Sequence, residues 1–569
     1  MKNIFEKFIL KTNLNIKKMF RYGSVACISM FSIILFFGKN NAMLAFPIAL
    51  TSITLSFENI RIKTIEKLIK LILLYCFLIL LSFYATNYIY VGIIINFITI
   101  FLIAYFLSFS FNPKIYKPFL MLFIFTSFSH DNIKNLLNKI FAIIFGCILV
   151  VFLNFILDKK NKNTLLLDFS PSIKLLFNQL KNIKNHDFDL TIYNNISKNM
   201  SNINYSIYTT KSSKYLTNLN GKFKLEMFLH ISMINNILYE KVYLKNNINE
   251  SFFELIDIIL HTFKENDYNI LDTINNLDKF IKKTIIKISQ YSNSEKEEFI
   301  VIFKNISTTL NNYKNTNNKD LKKVFTPWAK TSLGKYKNIF KKNFYKGSIR
   351  LNFSLRISTA LTICLFFSHL FEISKIIWIA ITIMSVMQIY YEDTLNKGRD
   401  RIKGNLIGIF IYLFLSFINI KELAWIILFL SLFLTYGFNE YYKLSIFTTL
   451  ASLSLTSIYF DIYEIAFVRA ILVLSGLIIV FFCNKFLFPT HIESGLQILI
   501  AKLLFYNREF VHMIKINKYE NLADILVLIS LTSGKLLVRS TLVKNNKIEN
   551  LLKINNINII KLAYYELIK

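Results

Sequence analysis

Residues 71–113 read LILLYCFLILLSFYATNYIYVGIIINFITIFLIAYFLSFSFNP and contain no charged side chain. A membrane-spanning helix needs about 20 mostly apolar residues, within a range near 17–25. The stretch is too long for one span and fits two, turning at Ala85-Thr86-Asn87. Upstream, residues 22–57 hold one charge, Lys39, in the turn Gly38-Lys39-Asn40-Asn41. That reads as two further helices. Downstream, 118–130 is apolar but short, and 140–157 supplies a sixth span. The pattern restarts much later, with spans expected near 352–371, 374–390, 402–417, 422–438, 444–460 and 464–486. Pro489 closes the last one, as a residue without a backbone N–H should.

Two soluble-looking stretches interrupt and follow these runs. Residues 158–349 have spaced apolar positions filled in with Lys, Asn, Asp and Glu. Segments 226–238 and 252–263 carry apolar stripes at helical period. The stretch 181–204 is polar enough to be expected as loop or partly disordered. Residues 490–569 return to amphipathic helices. The expected fold is therefore an all-α membrane protein with two six-helix transmembrane halves, about twelve spans, plus two helical cytoplasmic domains. The expected domains are 1–157, 158–349, 350–489 and 490–569.

Composition agrees. Mean hydropathy is +0.44, whereas a soluble chain of 569 residues would need polar side chains to coat its surface. Only 14 Gly and 6 Pro are present, which argues for long helices over tight turns. Cys27, Cys76, Cys147, Cys364 and Cys483 all lie in apolar runs, an arrangement of packing residues rather than of disulfides or a zinc site. The net charge of +32 comes from cations in loops and from a general Lys and Asn bias. No basic-aromatic recognition motif accompanies it, so nucleic acid is not an expected partner. No Walker A, Gly-x-Ser-x-Gly or His-Glu-x-x-His element appears, and the histidines have no ligand spacing. No enzyme, cofactor or metal is expected.

Charge also orients the chain. Cations crowd the N-terminal arm and alternate loops: Arg61, Lys63, Lys67 and Lys70; Lys114 and Lys117; Lys159 and Lys160; Lys397, Arg399, Arg401 and Lys403; Lys443. Lys134 and Lys139 are mild exceptions. The positive-inside rule then places both termini and both soluble domains in the cytoplasm of a bacterial inner-membrane protein. The two halves echo each other at an offset of about 330–335. Each opens its first span just after an arginine, Arg21 or Arg356. Each sixth span has a basic residue followed seven positions later by glycine, Lys139 with Gly146 and Arg469 with Gly476. Seven residues are two helical turns, so each pair shares a face. Both halves start on one side, which makes the repeat parallel, with its axis along the membrane normal.

The second half carries specific residues. Arg356-Ile-Ser-Thr-Ala-Leu opens a span. Trp378-Ile-Ala-Ile-Thr382 and Val386-Met-Gln388 follow, then Arg401-Ile-Lys-Gly404-Asn-Leu-Ile-Gly408, Arg469 with Gly476, and Phe486-Leu-Phe-Pro489. This resembles the fusaric acid resistance family, related to the aromatic acid exporters and, more distantly, to plant aluminium-activated malate transporters. The resemblance is specific over 350–489 and architectural elsewhere. In the first half, Lys67 and Lys70 stand where the family's Arg and first Gly would be. The resemblance implies export of small organic anions, often aromatic carboxylates.

Several residues have two readings each. Arg469, five residues into an apolar run, is either an anion-attracting cation near the outer mouth or a group that snorkels or pairs with Glu464 or Asp461. Arg356 either attracts anions from the cytoplasm or anchors the inner boundary. Arg401, with Arg399 and Lys403, lines a vestibule or touches anionic lipid. Trp378 stacks on an aromatic cargo or anchors at the interface. Thr382 and Gln388 are family-matched positions. Gly404, Gly408, Gly476 and Gly146 are helix-packing positions that let backbones approach. The expected partners are the lipid bilayer, a small-molecule anion, a second copy in a homo-oligomer (taken as a dimer) and a periplasmic adaptor. An anion channel and a non-transporting scaffold built on the soluble domains are the alternatives.

Overall fold

The computed structural model describes residues 14–54, 64–107, 115–128, 132–157, 164–209, 219–244, 250–265, 273–290, 294–316, 344–345, 347–416, 424–438, 440–457, 462–516, 522–543 and 546–568. Among them every regular element is helical. Arg61, Lys63, Lys114, Lys159, Lys160 and Asp461, used above for orientation and pairing, lie outside the described residues. The chain divides into two compact units: residues 1–159 with 339–495, and residues 160–338 with 496–569. The two membrane halves are thus parts of one unit. The stretches 158–349 and 490–569, expected as separate domains, both contribute to the other.

The first half holds α1 (Met19–Phe37), α2 (Ala45–Thr54), α3 (Thr64–Asn87), α4 (Ile89–Leu107), α5 (Tyr116–Ser127) and α6 (Ile133–Leu157). After the second unit's helices α7 to α12, the second half repeats the series. It comprises α13 (Ile349–Leu370), α14 (Ile377–Val386), α15 (Tyr391–Ser416), α16 (Ala424–Thr435), α17 (Tyr441–Ser457) and α18 (Ile462–Phe486). A helix therefore stands at each of the twelve expected places. Six are long and apolar enough to cross a membrane by length and composition: α1, α3, α4, α6, α13 and α18. Helix α18 shows why they face lipid. Phe467, Ile471, Leu474, Ile478 and Phe482 form an exposed apolar row, while Arg469, Val473, Leu477, Val480 and Asn484 are buried on the opposite face. An exposed row of that kind needs a hydrocarbon solvent.

Two boundaries differ from expectation. The span read at 374–390 stops at Val386, because Met387 turns to extended backbone (φ −60°, ψ 122°). The ten-residue helix is about 15 Å long, half the hydrocarbon thickness. Its counterpart α2 has ten residues too. The basic segment 397–403, read as a loop before a span, is helical: α15 starts at Tyr391. Its acidic first turn, Glu392 and Asp393, suits the positive end of the helix dipole.

The repeat is visible in the packing. In each half the second and sixth helices meet through the predicted glycine. A Cβ on Gly146 would run into Ile48 of α2, and one on Gly476 would lie 2.9 Å from Thr382 of α14. The first helix of each half packs on the fourth helix of the other, α1 on α16 and α13 on α4. Phe20 and Phe433 mark the first contact at 5.1 Å, and Arg350 over Tyr105 marks the second at 5.6 Å. Such reciprocal exchange is what a two-fold axis between halves produces.

The second unit contains α7 (Thr164–Lys184), α8 (Leu190–Thr209), α9 (Leu219–Leu238), α10 (Glu250–Glu265), α11 (Ile274–Ser289), α12 (Ser294–Asn315), most of α19 (Ile492–Lys515), α20 (Leu522–Val543) and α21 (Asn546–Ile568). The stretch 181–204 is a correction. It is helix at both ends, α7 running to Lys184 and α8 starting at Leu190. Asn and Ser dilute its composition, but Tyr193, Ile196, Met200, Ile203 and Ile207 keep a 3–4 spacing and are all buried. Spacing, not composition, decides burial here. Helix α9 is the hub of this unit, packed by α7, α8, α12 and α21, and buried nearly all round.

Candidate functional site

Burial of cations organises the second membrane half. Arg356, Arg401 and Arg469 are exposed by 0%, 4% and 2%. Their neighbours differ sharply. Arg356 on α13 donates to Asn484 Oδ1 at 2.6 Å, Ile389 O at 2.6 Å, Thr490 Oγ1 at 3.0 Å and Gln388 O at 3.4 Å. The terminal nitrogens are thereby spent on the backbone freed where α14 ends and on the segment that follows α18. Gln388 joins this cluster through its carbonyl, while its own amide bonds Met387 O at 2.7 Å. The guanidinium ties three elements together at a place where the helical ladder is interrupted and two carbonyls need donors.

Arg469 on α18 has no such partners. Its guanidinium lies 4.2 Å from the ring centroid of Trp378 on α14, a cation–π stack. Its Nε and Nη1 have no hydrogen-bond partner. Glu464, offered above as a pairing partner, instead binds Lys375 at 3.0 Å. Two helical turns further on, Gly476 seats Thr382, whose hydroxyl donates to Trp378 O at 2.8 Å. The α14–α18 seam thus brings Arg469, Trp378, Thr382 and Gly476 together.

Arg401 points from α15 to α17, within 3.4 Å of Ser445 Oγ and Thr448 Oγ1, and its Nε is unpartnered. Its neighbours Arg399 and Lys403 are exposed, so the three cations do not share a face. A residue at Gly404 would strike Ser445, and a Cβ on Gly408 would come within 2.9 Å of Thr449. These glycines bring α15 against α17. Asn405 then accepts from Thr449 Oγ1 at 2.7 Å and donates to Arg401 O at 3.0 Å.

Arg401 and Arg469 are both buried cations of this half. Neither makes an ion pair among the described residues. An isolated buried charge costs several kcal/mol, and each orphaned donor adds about 1–3 kcal/mol. Two such groups in this half keep buried N–H donors without acceptors among the described residues. Asn484, Thr490, Ser445, Thr448, Asn405 and Thr449 were not anticipated. Their signal was available as polar residues within apolar runs, above all the Ser and Thr positions of 441–457. Asn484 has a first-half counterpart: Asn154 follows Lys139 by fifteen positions, as Asn484 follows Arg469. Asn154 is buried and its amide has no partner.

Residues 363–483 match the family described as fusaric acid resistance protein-like. The matched segment runs from within α13 to within α18 and holds Trp378, Arg401 and Arg469. The role that goes with this family is membrane transport or efflux. No curated protein and no solved structure matches the chain.

Proposed function

We propose, from the premise that this chain belongs through residues 363–483 to the fusaric acid resistance protein-like family, that it moves small organic anions across a bacterial inner membrane. One observation carries the reading: Arg401 and Arg469 are buried and, among the described residues, unpaired with acids and left with free N–H donors. Guanidinium matches a carboxylate in planarity and donor spacing. Aromatic carboxylates are the first cargo to test, following the resemblance. The Arg469 side of Trp378 is covered by the guanidinium, so charge rather than stacking on that face supplies the recognition. Both termini face the cytoplasm in this reading. A homodimer and a periplasmic adaptor would complete the assembly.

Reconstituted vesicles loaded with labelled benzoate test the reading. Wild type should release the label well above empty vesicles. Arg469→Ala and Arg401→Ala should each slow release about tenfold or more, the worth of one charge-assisted contact. Wild-type rates in both folded variants would reject the assignment.

A channel is the second reading. The buried charged side chains of the described membrane helices are the cations Lys139, Arg356, Arg401 and Arg469, with no buried Asp or Glu of the kind proton relays use. Electrical recording separates the two: step-like currents independent of a proton gradient support the channel.

A further inference from the structure

The second unit has a partly open cavity of about 50 Å³ where α8 and α9 meet α20 and α21. Its polar lining includes Tyr193, Ser201, Ser232, Asn235, Asn236 and Ser533. Met200, Phe228, Leu526, Ile529, Leu537 and Ile559 form apolar walls, and among the described residues no charged one lines it. Some of these polar groups satisfy each other. Tyr193 Oη donates to Asn236 Oδ1 at 3.3 Å, Asn235 Nδ2 donates to Tyr193 O at 3.5 Å, and Ser533 Oγ donates to Asn556 Oδ1 at 2.7 Å.

Others are left over. Among the described residues Asn235 Oδ1 and Asn236 Nδ2 have no partner, although both residues are only 3% exposed. One is an acceptor and the other a donor. Buried polar groups are normally satisfied, so each leftover asks for an occupant. Helix α20 reaches this position because Gly534 leaves room for Ser201, whose hydroxyl a Cβ there would strike.

We propose that this cavity is a binding site for a small uncharged amide, a molecule offering one donor and one acceptor side by side. A carboxamide offers a donor for Asn235 Oδ1 and an acceptor for Asn236 Nδ2. The absence of charge in the lining selects against carboxylates, since a buried anion without a cation is costly. The ligand of this unit therefore differs in class from the anion proposed for the membrane half, and the two assignments stand or fall separately. The volume suits a group of a few heavy atoms and is well below the roughly 150 Å³ that admits benzene.

Saturation-transfer NMR on the full chain in detergent tests it, with acetamide as probe and acetate as its near-isosteric anionic control. Acetamide should give a signal several times that of acetate, with a Kd near or below about 1 mM, within reach of a ligand this small. Ser201→Val, which fills the cavity from the half-buried side of α8, should remove most of the signal. Asn236→Leu, of similar size without the amide, should do the same. Three results overturn the proposal. They are an acetate signal equal to that of acetamide, no acetamide signal at all (leaving water as the occupant), and a signal that persists in both variants with unchanged melting.

Discussion

Three buried arginines in one membrane half have different work, and substitution should separate them. Arg356 donates four hydrogen bonds, two of them to backbone carbonyls at a helix break. Bonds from a charged donor are worth about 1.5–3 kcal/mol each, so Arg356→Ala should lower melting in detergent sharply. Arg469 offers only the Trp378 stack against its burial cost. Replacing an unpaired buried charge by an apolar side chain of similar length is often neutral or stabilising. Arg469→Met should therefore melt at or above wild type while losing anion flux. Equal melting losses in the two variants would contradict this division. In the second unit, His230 is fully buried, with Nε2 3.2 Å from Thr309 Oγ1. Burial pushes its imidazole down to about 3. An unfolded histidine takes a proton near 6.5, so stability from this residue is complete above that pH. It falls by up to about 1.4 kcal/mol per pH unit as pH drops toward 3. Burial raises the Glu226 carboxyl, which acts with the opposite sign, favouring the fold at low pH. His230→Phe should flatten the acid limb relative to wild type in urea melts of the full chain between pH 6.5 and 5.

Helix-to-helix distances in this protein are set by single glycines at crossing points. Gly404 faces Ser445 and Tyr442 O, which would lie 2.6 Å from a Cβ. A carbonyl on a helix backbone cannot swing aside as a side-chain tip can. Gly404→Ala should push α15 from α17 and lower melting clearly, whereas Leu406→Ala, on the exposed face two residues away, should change it little. The same separation would disturb the Arg401 contacts with Ser445 and Thr448 and reduce flux as well. Helix α14 shows a different control. It ends after ten residues, and the carbonyls of Gln388 and Ile389 in the extended segment that follows accept from Arg356, so a remote arginine supplies donors to the backbone just past the helix.

At the scale of the molecule, both units are built from chain segments far apart in sequence. The reciprocal packing of α1 on α16 and α13 on α4 makes each half incomplete alone. Cysteines at Phe20 and Phe433, whose rings are 5.1 Å apart, should cross-link within one chain under mild oxidation in a background without the native cysteines. Absence of the cross-link would contradict the exchange. The second unit depends on its C-terminal helices in the same way. Helices α20 and α21 cover α8 and α9, with Asn204 Nδ2 donating to Ser530 Oγ at 2.7 Å and the rings of His230 and Tyr564 5.6 Å apart. A chain ending at residue 521 should expose Met200, Ile203 and Phe228, and limited proteolysis should cut within 190–238 far faster than in the full chain.

The sequence by itself determined that the chain is helical, that two apolar six-helix series flank a polar stretch, and that the series are related. Charge-free runs such as 71–113 and the paired Lys139–Gly146 and Arg469–Gly476 spacings settle these points, because hydropathy and period act locally. It also picked Arg469, Trp378, Thr382 and Gly476, which the fold gathers at one seam. Only the tertiary structure decided what each cation meets. Arg356 and Arg469 both read as charges in apolar runs, yet the terminal nitrogens of one bind Asn484, Thr490 and two carbonyls, and the other is stacked on Trp378 without a hydrogen bond among the described residues. Partners of that kind lie up to 134 positions away, beyond any local pattern. The same holds for 181–204, where polar composition concealed a helix whose apolar side is buried within the second unit. Burial is a property of the assembled chain, and there the fold overrode composition.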